Sequence, residues 1–393
     1  MIVEPKTRGF ICTTAHPAGC RANIKNQIDY VKNEAKTEGP KKVLVIGAST
    51  GYGLASRIAL AFGSGADTIG VIFDKPANKN KTASAGWYNT AAFEEFAAAD
   101  GLYAKTINGD AFSDAIKKQT IDLIKKDFGK IDMLVYSLAA PRRNMEDGTS
   151  FSSVLKTTDQ EYTNKTINLK DNSIEEVTIP PATEDEIEAT IKVMGGEDWK
   201  DWIRALKDAD AITDDATTVA YSYIGPELTH PIYLNGSIGM AKRHLYQTAN
   251  EIMSEFAPMK GYISVNKALV TQSSAAIPIV PLYIAILYKI MKENNIHEGC
   301  IEQMYRLFHD KLCVATPELD NDGMLRLDDW EFKPEIQSQV LQIWDTINNE
   351  NASQYLDIDG YWEDFFQMFG FKILNVNYEE DVDIDVKIPS IEE

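Results

Sequence analysis

The chain is poor in several features, and each shortage removes a class of function. It has 39 Lys and Arg against 59 Asp and Glu, a formal net charge of −20. A nucleic-acid binder needs a basic face to neutralise phosphates, so no nucleic-acid partner is expected. The four cysteines, Cys12, Cys20, Cys300 and Cys313, form no C-x-x-C pair; they are read as free thiols in a reducing compartment, the cytoplasm. No apolar run reaches the ~20 residues of a membrane span. The nearest, Ala275 to Met291, holds Pro278, Pro281 and Lys289 and is read as a buried helix, so no membrane association is expected. Met1 to Lys6 leads into polar and turn residues, not the apolar core of a signal peptide. His297-Glu298-Gly299-Cys300 lacks paired ligand spacing, so no metal is expected. Around Asp322-Gly323 a calcium-like loop fails at its ends, with Glu318 first and Asp329 twelfth; a hairpin turn is the simpler account. The standard G-x-G-x-x-G fingerprint is missing as well.

What is present is a core-forming composition. The 393 residues are 44% apolar, enough for one elaborated α/β unit. Val43-Leu44-Val45-Ile46 enters Gly47-Ala48-Ser49-Thr50-Gly51-Tyr52-Gly53, and a helical pattern (Ala55, Ile58, Ala59, Phe62) leaves it. A strand, a glycine turn and a helix N-terminus make an anion site, because the first helical N–H groups lack partners. The second strand, Thr68 to Phe73, ends at Asp74, about 20 residues after Gly53, the distance at which an acid meets an adenosine ribose. Asp74 would accept from the 2′-hydroxyl and repel a 2′-phosphate, which favours NADH over NADPH.

Further strands are expected at Leu102 to Ile107, Ile131 to Tyr136, Thr217 to Ile224 and Tyr262 to Val265. They alternate with helices at Trp87 to Ala99, Ser113 to Phe128 and Glu184 to Leu206. Such alternation implies a Rossmann-type doubly wound, mostly parallel sheet with ligands at its strand C-terminal ends. Thr163 to Ile179 reads as a β-hairpin inserted on the sheet. The expected organisation is one enlarged domain, 1–393. Residues 1–40 are an N-terminal extension, 41–141 and 215–275 the dinucleotide-binding core, and 142–214 an insertion forming part of the substrate cover. Residues 276–393 form a helical C-terminal region whose end, from Glu379, reads as an acidic appendage. The Ile277–Met291 stripe is read as core that also lines an acyl pocket.

Tyr233 and Lys242 suggest a reductase pair, in which an ammonium lowers a phenol's pKa and anchors a ribose. They are nine residues apart, two and a half turns of a helix with ~3.6 residues per turn, hence opposite faces. They converge only if Tyr233 precedes the helix. Asn235-Gly236 supplies the break and Ser237 the expected N-cap.

With these motifs the chain closely resembles the monomeric trans-2-enoyl-CoA and enoyl-ACP reductase family of the FabV type, an enlarged branch of the short-chain dehydrogenase/reductase superfamily. The resemblance rests on Gly47 to Gly53, Val135-Tyr136-Ser137-Leu138-Ala139-Ala140-Pro141-Arg142, Val193-Met194-Gly195-Gly196-Glu197-Asp198-Trp199, Ala220-Tyr221-Ser222-Tyr223-Ile224-Gly225, Tyr233-x8-Lys242 and Ser264 to Thr271. It extends over nearly the whole chain. It implies NADH-dependent reduction of the C2=C3 double bond of enoyl thioesters on CoA or acyl carrier protein, within lipid metabolism, by a monomer. It further implies Tyr233 as proton donor, Lys242 as cofactor ligand and Tyr223 on the substrate carbonyl. Gly47, Ala48, Ser49, Thr50, Gly51 and Tyr52 would hold pyrophosphate. Phe73, Asp74, Asp110 and Ala111 would hold adenosine, and Leu138, Ala139, Leu269, Val270 and Thr271 would flank nicotinamide. Arg142, Arg143, Lys242 and Arg243 are the candidate cations for an acidic carrier. A short-chain-type 3-oxoacyl or carbonyl reductase and a non-catalytic NADH-binding protein are the alternatives; the missing Y-x-x-x-K counts against the first and the Tyr/Lys set against the second.

Overall fold

Val43, Leu44, Val45 and Ile46 are all fully buried, which a strand achieves only where both faces of its sheet are covered. In the computed structural model, which describes residues 1–391 except Gly9, Phe10, Gln272, Ser273, Ala275 and Ala276, that strand is β1 (Lys42–Ile46). The other sheet strands are β2 (Asp67–Ile72), β3 (Ala104–Asn108), β4 (Ile131–Tyr136), β5 (Ile212–Ser222), β6 (Lys260–Val265) and β7 (Leu325–Arg326). They form one parallel seven-stranded sheet in the order β7-β6-β5-β4-β1-β2-β3. The chain winds outward from β1 through β2 and β3, then returns to β4 on the other side. The crevice between β1 and β4 is therefore the switch point where doubly wound sheets bind ligands.

Alternation along β1 divides the core. Val43 and Val45 face a layer with α1 (Pro17–Asn33), α2 (Gly51–Ile58) and α3 (Ala85–Ala99). Leu44 and Ile46 face α4 (Asp114–Asp127), α6 (Glu197–Asp208) and α7 (Ser237–Glu255). α8 (Val280–Glu293) is buried along most of its length in the first layer, where the apolar stretch was expected to lie; Ala275 and Ala276 of that stretch are outside the described residues. Among the described residues no helix is long and apolar enough to cross a membrane.

Four expectations are corrected. The helix expected from Glu184 to Leu206 is two, α5 (Glu184–Met194) and α6. They break at Gly195, whose backbone is extended (φ −81°, ψ −167°); the Gly196 N–H leaves the helix ladder for His244 Nδ1, and Gly196 packs so tightly that a Cβ there would meet Thr248 Oγ1 at 2.2 Å. The hairpin (Tyr162–Asn168 with Ser173–Ile179) is a separate two-stranded sheet and is not hydrogen-bonded to the main one. It lies over α8, where the Ile279 N–H donates to Thr166 Oγ1. The turn at Asp320 to Gly323 forms, with Asp320 Oδ1 accepting from the Asp322 and Met324 N–H groups, but it opens no hairpin. It leads into β7, which pairs parallel with β6; two residues are too short to show a period.

The C-terminal end is also no appendage. Trp87 Nε1 donates to Val386 O, Tyr88 Oη to Ile384 O, and Ser390 Oγ accepts from the Thr106 N–H of edge strand β3. The tail thus covers an edge that would otherwise offer unpaired backbone groups. Gly19 of α1 packs so closely on Gly370 that a Cβ there would meet Gly370 O at 1.7 Å.

Ile388 is fully buried in this tail. Ile388→Ala should cost about 2–4 kcal/mol, read as a lower midpoint in thermal or urea unfolding, whereas Leu374→Ala, at a residue 84% exposed, should leave the midpoint unchanged.

Candidate active site

The turn after β1 depends on three glycines with different tasks. Gly47 has φ +81° and lies against β4's exit, where a Cβ would meet Ser137 O at 2.2 Å. Gly51, φ +55°, opens α2, and apart from its chain neighbours and its own helix backbone nothing lies within 4 Å of where its Cβ would stand. Gly53 lets the helix close on the turn, since its Cβ would meet Gly47 O at 2.0 Å. The backbone can therefore approach a pyrophosphate at Gly51 while helix and strand stay packed. Gly47 and Ala48 both donate to Val71 O, and Ser49 O accepts from Asn89 Nδ2. Thr50 caps the helix with no side-chain bond. Tyr52 differs from its neighbours: its phenol turns away to donate to Lys267 O at 2.8 Å, leaving only its backbone for a phosphate.

The remaining expected cofactor residues follow the C-terminal ends of neighbouring strands. Asp74 is held after β2 by three contacts: its N–H donates to Asn108 Oδ1, Asn108 Nδ2 donates to its carbonyl, and Ser84 Oγ donates to Oδ1 at 2.7 Å. Its carboxylate lies where a Cβ on Gly86 would be, 2.5 Å away, so Gly86 is what gives it room. Phe73 beside it is 79% exposed, an unusual state for a large apolar side chain. Asp110 Oδ1 accepts from the Phe112 N–H, and buried Ala111 offers its carbonyl to Trp202 Nε1. Leu138 and Ala139 follow β4, Leu138 half-buried and Ala139 exposed. After β6, Leu269 and Val270 are buried, Val270's N–H donates to Tyr288 Oη, and Thr271 Oγ1 accepts from Ser274.

Tyr223 emerges just past β5, and its ring meets that of Tyr233 edge-on, centroids 4.8 Å apart at 87°. Tyr233 precedes α7, in turns tied by its N–H to Thr229 O. Gly239 permits the fold-back, for its Cβ would meet Tyr233 O at 2.3 Å. The N-cap is Gly236, not Ser237, whose hydroxyl is used by Val154 O and the Lys156 N–H. Lys242 lies in the second helical turn and donates to Tyr221 O at 3.0 Å; burial lowers its pKa to about 8. The ammonium does not reach the Tyr233 phenol. Burial holds that phenol up at about 12 instead of below its ordinary value, and its hydroxyl makes no hydrogen bond among the described residues.

Sequence reasoning missed the group behind this pair. Glu331 is fully buried; it lies near Tyr223 Oη (3.3 Å) and accepts from Tyr283 Oη (2.6 Å) and the Ala268 N–H (2.7 Å). Burial raises its pKa to about 7 against the opposing pull of Lys267. Nothing in its local sequence marks it, beside Trp330 in a segment read as a turn.

Other candidates are engaged elsewhere. Arg143 is not a carrier contact: it is buried, donates to Lys192 O and lies over the Phe112 ring. Arg142 and Arg243 are exposed. His297 stacks edge-on against Tyr288, its pKa lowered to about 3 by burial, and Glu298 pairs with Arg306. The Gly195 to Trp199 motif is architectural, with Asp198 accepting from Lys117 Nζ (2.7 Å) and Tyr136 Oη (3.0 Å) and so fixing the end of β4.

Three family models match the chain: the NAD(P)H binding domain of trans-2-enoyl-CoA reductase over residues 2–79, the trans-2-enoyl-CoA reductase catalytic region over 81–313, and an enoyl reductase FAD binding domain over 319–382. A trans-2-enoyl-CoA reductase [NADH] of Ruminiclostridium cellulolyticum is 56% identical, covering 100% of both chains. An enoyl-[acyl-carrier-protein] reductase [NADH] of Coxiella burnetii is 55% identical over 100% of this chain and 98% of its own. The crystal structure of Clostridium acetobutulicum trans-2-enoyl-CoA reductase in complex with NADH superposes with TM-score 0.95 at 45% identity, covering 99% of this chain and 100% of that one. FAD does not fit the 319–382 segment. Residues 319–382 hold 15 Asp and Glu against three Lys and Arg, a charge that opposes a pyrophosphate, and Arg326 is taken by Asp320 and Asp328.

Asp198→Ala should leave the Lys117 ammonium buried without its partner and cost about 3–5 kcal/mol, measured by urea unfolding.

Proposed function

The chain belongs to the trans-2-enoyl-CoA reductase family, and from that premise we infer that it reduces the C2=C3 double bond of trans-2-enoyl thioesters with NADH. The observation that carries the assignment to this site is the Tyr223–Tyr233 pair on the same sheet rim as the glycine turn. We further propose the following roles.

NADH, when bound, supplies a hydride to C3. The turn from Gly47 to Tyr52 holds its pyrophosphate: the Gly47 and Ala48 N–H groups are taken by Val71 O and shape the turn, and backbone N–H groups from Ser49 onward face the phosphates, the open side of Gly51 being the point of approach. Asp74, fixed by Ser84 and Asn108, accepts from the adenosine ribose, with Phe73, Asp110 and Ala111 around the adenosine. Leu138, Ala139, Leu269, Val270 and Thr271 border the nicotinamide. Lys242 anchors its ribose. Negative charge grows on the thioester oxygen as C3 is reduced, and Tyr223 directs its hydroxyl there, an interaction that strengthens only towards the transition state. Tyr233, whose reachable hydroxyl has no other partner, donates the proton. A phenol held at about 12 keeps that proton at neutral pH until a strongly basic enolate forms beside it.

The same reading takes residues 1–393 as one enlarged unit acting as a monomer in the cytoplasm, with no nucleic-acid or membrane partner. Enoyl-CoA and enoyl-acyl-carrier-protein are both admissible substrates. Either would meet a molecule of net charge −20, so Arg142 and Arg243 are the exposed cations proposed to receive it.

Purified protein should oxidise NADH with crotonyl-CoA; no turnover with C4 to C12 enoyl thioesters would refute the assignment. Tyr233→Phe should lower kcat about 100-fold or more with NADH binding unchanged in a fluorescence titration. Lys242, its pKa lowered to about 8, loses its charge as pH rises through that value. NADH affinity should therefore be constant from pH 6 to 7 and fall above 8, and Lys242→Met should be weak at every pH.

A further inference from the structure

The carboxyl of Glu331 has a restricted set of hydrogen-bonding positions. Oε2 accepts from the Ala268 N–H at 2.7 Å. Oε1 accepts from Tyr283 Oη at 2.6 Å, and Tyr283 is oriented for this because its oxygen takes an N–H from Gln337 Nε2 at 3.0 Å. Gln337 is itself fixed by donating to Glu331 O. The position left on Oε1 faces Tyr223 Oη, 3.3 Å away. That distance is long for an O–H···O bond, so the Tyr223 hydroxyl keeps freedom to turn.

Tyr223 has one proton and two claimants for it. If Glu331 is ionised, the phenol's proton is drawn to the carboxylate and withheld from a substrate oxygen. If Glu331 is protonated, its O–H points at Tyr223 Oη and the phenol's proton is free to point the other way. We propose that Glu331 is a positioning residue that donates from its protonated carboxyl to Tyr223, directing the Tyr223 hydroxyl at the thioester oxygen. The proposal rests on the role given to Tyr223 above. No bond is made or broken in it: the hydride comes from NADH, the proton from Tyr233, and Glu331 keeps its own.

The surroundings support the protonated form. Glu331 has no access to solvent, and burial is the main cause that raises its pKa to about 7. The groups facing it are Lys267, which follows β6 and favours the anion, and Asp328 of its own segment, which opposes it. The phenols of Tyr223, Tyr283 on α8 and Tyr52 on α2 also face it. Lys267 is partly committed, donating to Ala268 O at 3.0 Å. Ala268 immediately precedes Leu269 to Thr271, so one carboxyl ties the substrate-carbonyl tyrosine to the segment proposed to border the nicotinamide.

The test is the pH dependence of kcat with saturating NADH and crotonyl-CoA from pH 5.5 to 8.5, for wild type, Y223F, E331Q and Y223F/E331Q. Ionisation of a group with pKa about 7 should lower wild-type kcat about tenfold between pH 6 and 8. E331Q, whose amide still donates towards Tyr223, should stay within about fivefold of wild type at pH 6. It should lose only about twofold by pH 8, from Lys242 and Lys267 near 8. In Y223F the fall near pH 7 should vanish, a result that needs no change at Glu331, and adding E331Q should alter nothing more. An E331Q profile with the wild-type midpoint, or an equal midpoint in Y223F, overturns the proposal alone. No wild-type turnover at any pH overturns the reductase assignment, and this inference with it.

Discussion

Everything at this site depends on how closely two backbone turns approach one another. The turn after β1 presses on the exit of β4, with no space for a Cβ at Gly47 or Gly53. Because both turns leave adjacent parallel strands at the switch point, a single close packing contact sets the distance between the pyrophosphate turn and the segment from Ser137 to Ala139. A side chain at either glycine would separate helix from strand before it touched any ligand. The crevice is therefore rigid, and the parts that differ in chemistry are added around its rim.

Those additions come from distant parts of the chain and are held by buried polar groups. Tyr52 of α2 reaches the carbonyl of Lys267 after β6, and Glu331 of the C-terminal region reaches the N–H of Ala268. Asp198 closes on Lys117 and Tyr136 beneath β4. Each pair removes charge or dipole from water, which is costly unless the partners satisfy one another fully. Here the satisfied networks fix orientation. Tyr223, Tyr233 and Lys242 belong to a strand end, a loop and a helix, and they face one rim because the backbone beneath them has few alternatives.

The sequence was most legible where local chemistry determines geometry. Six of the seven strands, the turn, and the placement of Tyr233 ahead of its helix follow from β-branched runs, positive-φ glycines and the Asn235-Gly236 break. Two-residue β7 has no period to detect, and the break at Gly195-Gly196 is held by Thr248 and His244, more than 45 residues away. Burial was the least readable property. It hid Arg143 among side chains where an exposed cation was expected, brought Glu331, which no motif marks, beside Tyr223, and raised Tyr233 where a nearby ammonium was expected to lower it. A charge's environment is assembled by long-range packing, and no window of sequence contains it.

The seam between Gly19 and Gly370 carries a consequence of another kind. The Cys20 N–H and Gly370 are close enough that a Cβ on Gly370 would lie 2.4 Å from that nitrogen, and the His16 N–H donates to Phe369 O. The first helix of the chain therefore cannot complete its packing until residues near 370 have been synthesised. The apolar face of α1 finds its cover in α2 and α3, complete by Ala99, but the seam at its N-terminal turn waits for a partner more than 340 residues downstream. Contacts of such sequence separation slow folding and expose intermediates to aggregation. The N-terminal seam of α1 is thus joined only after the rest of the nucleotide layer already has its partners in sequence.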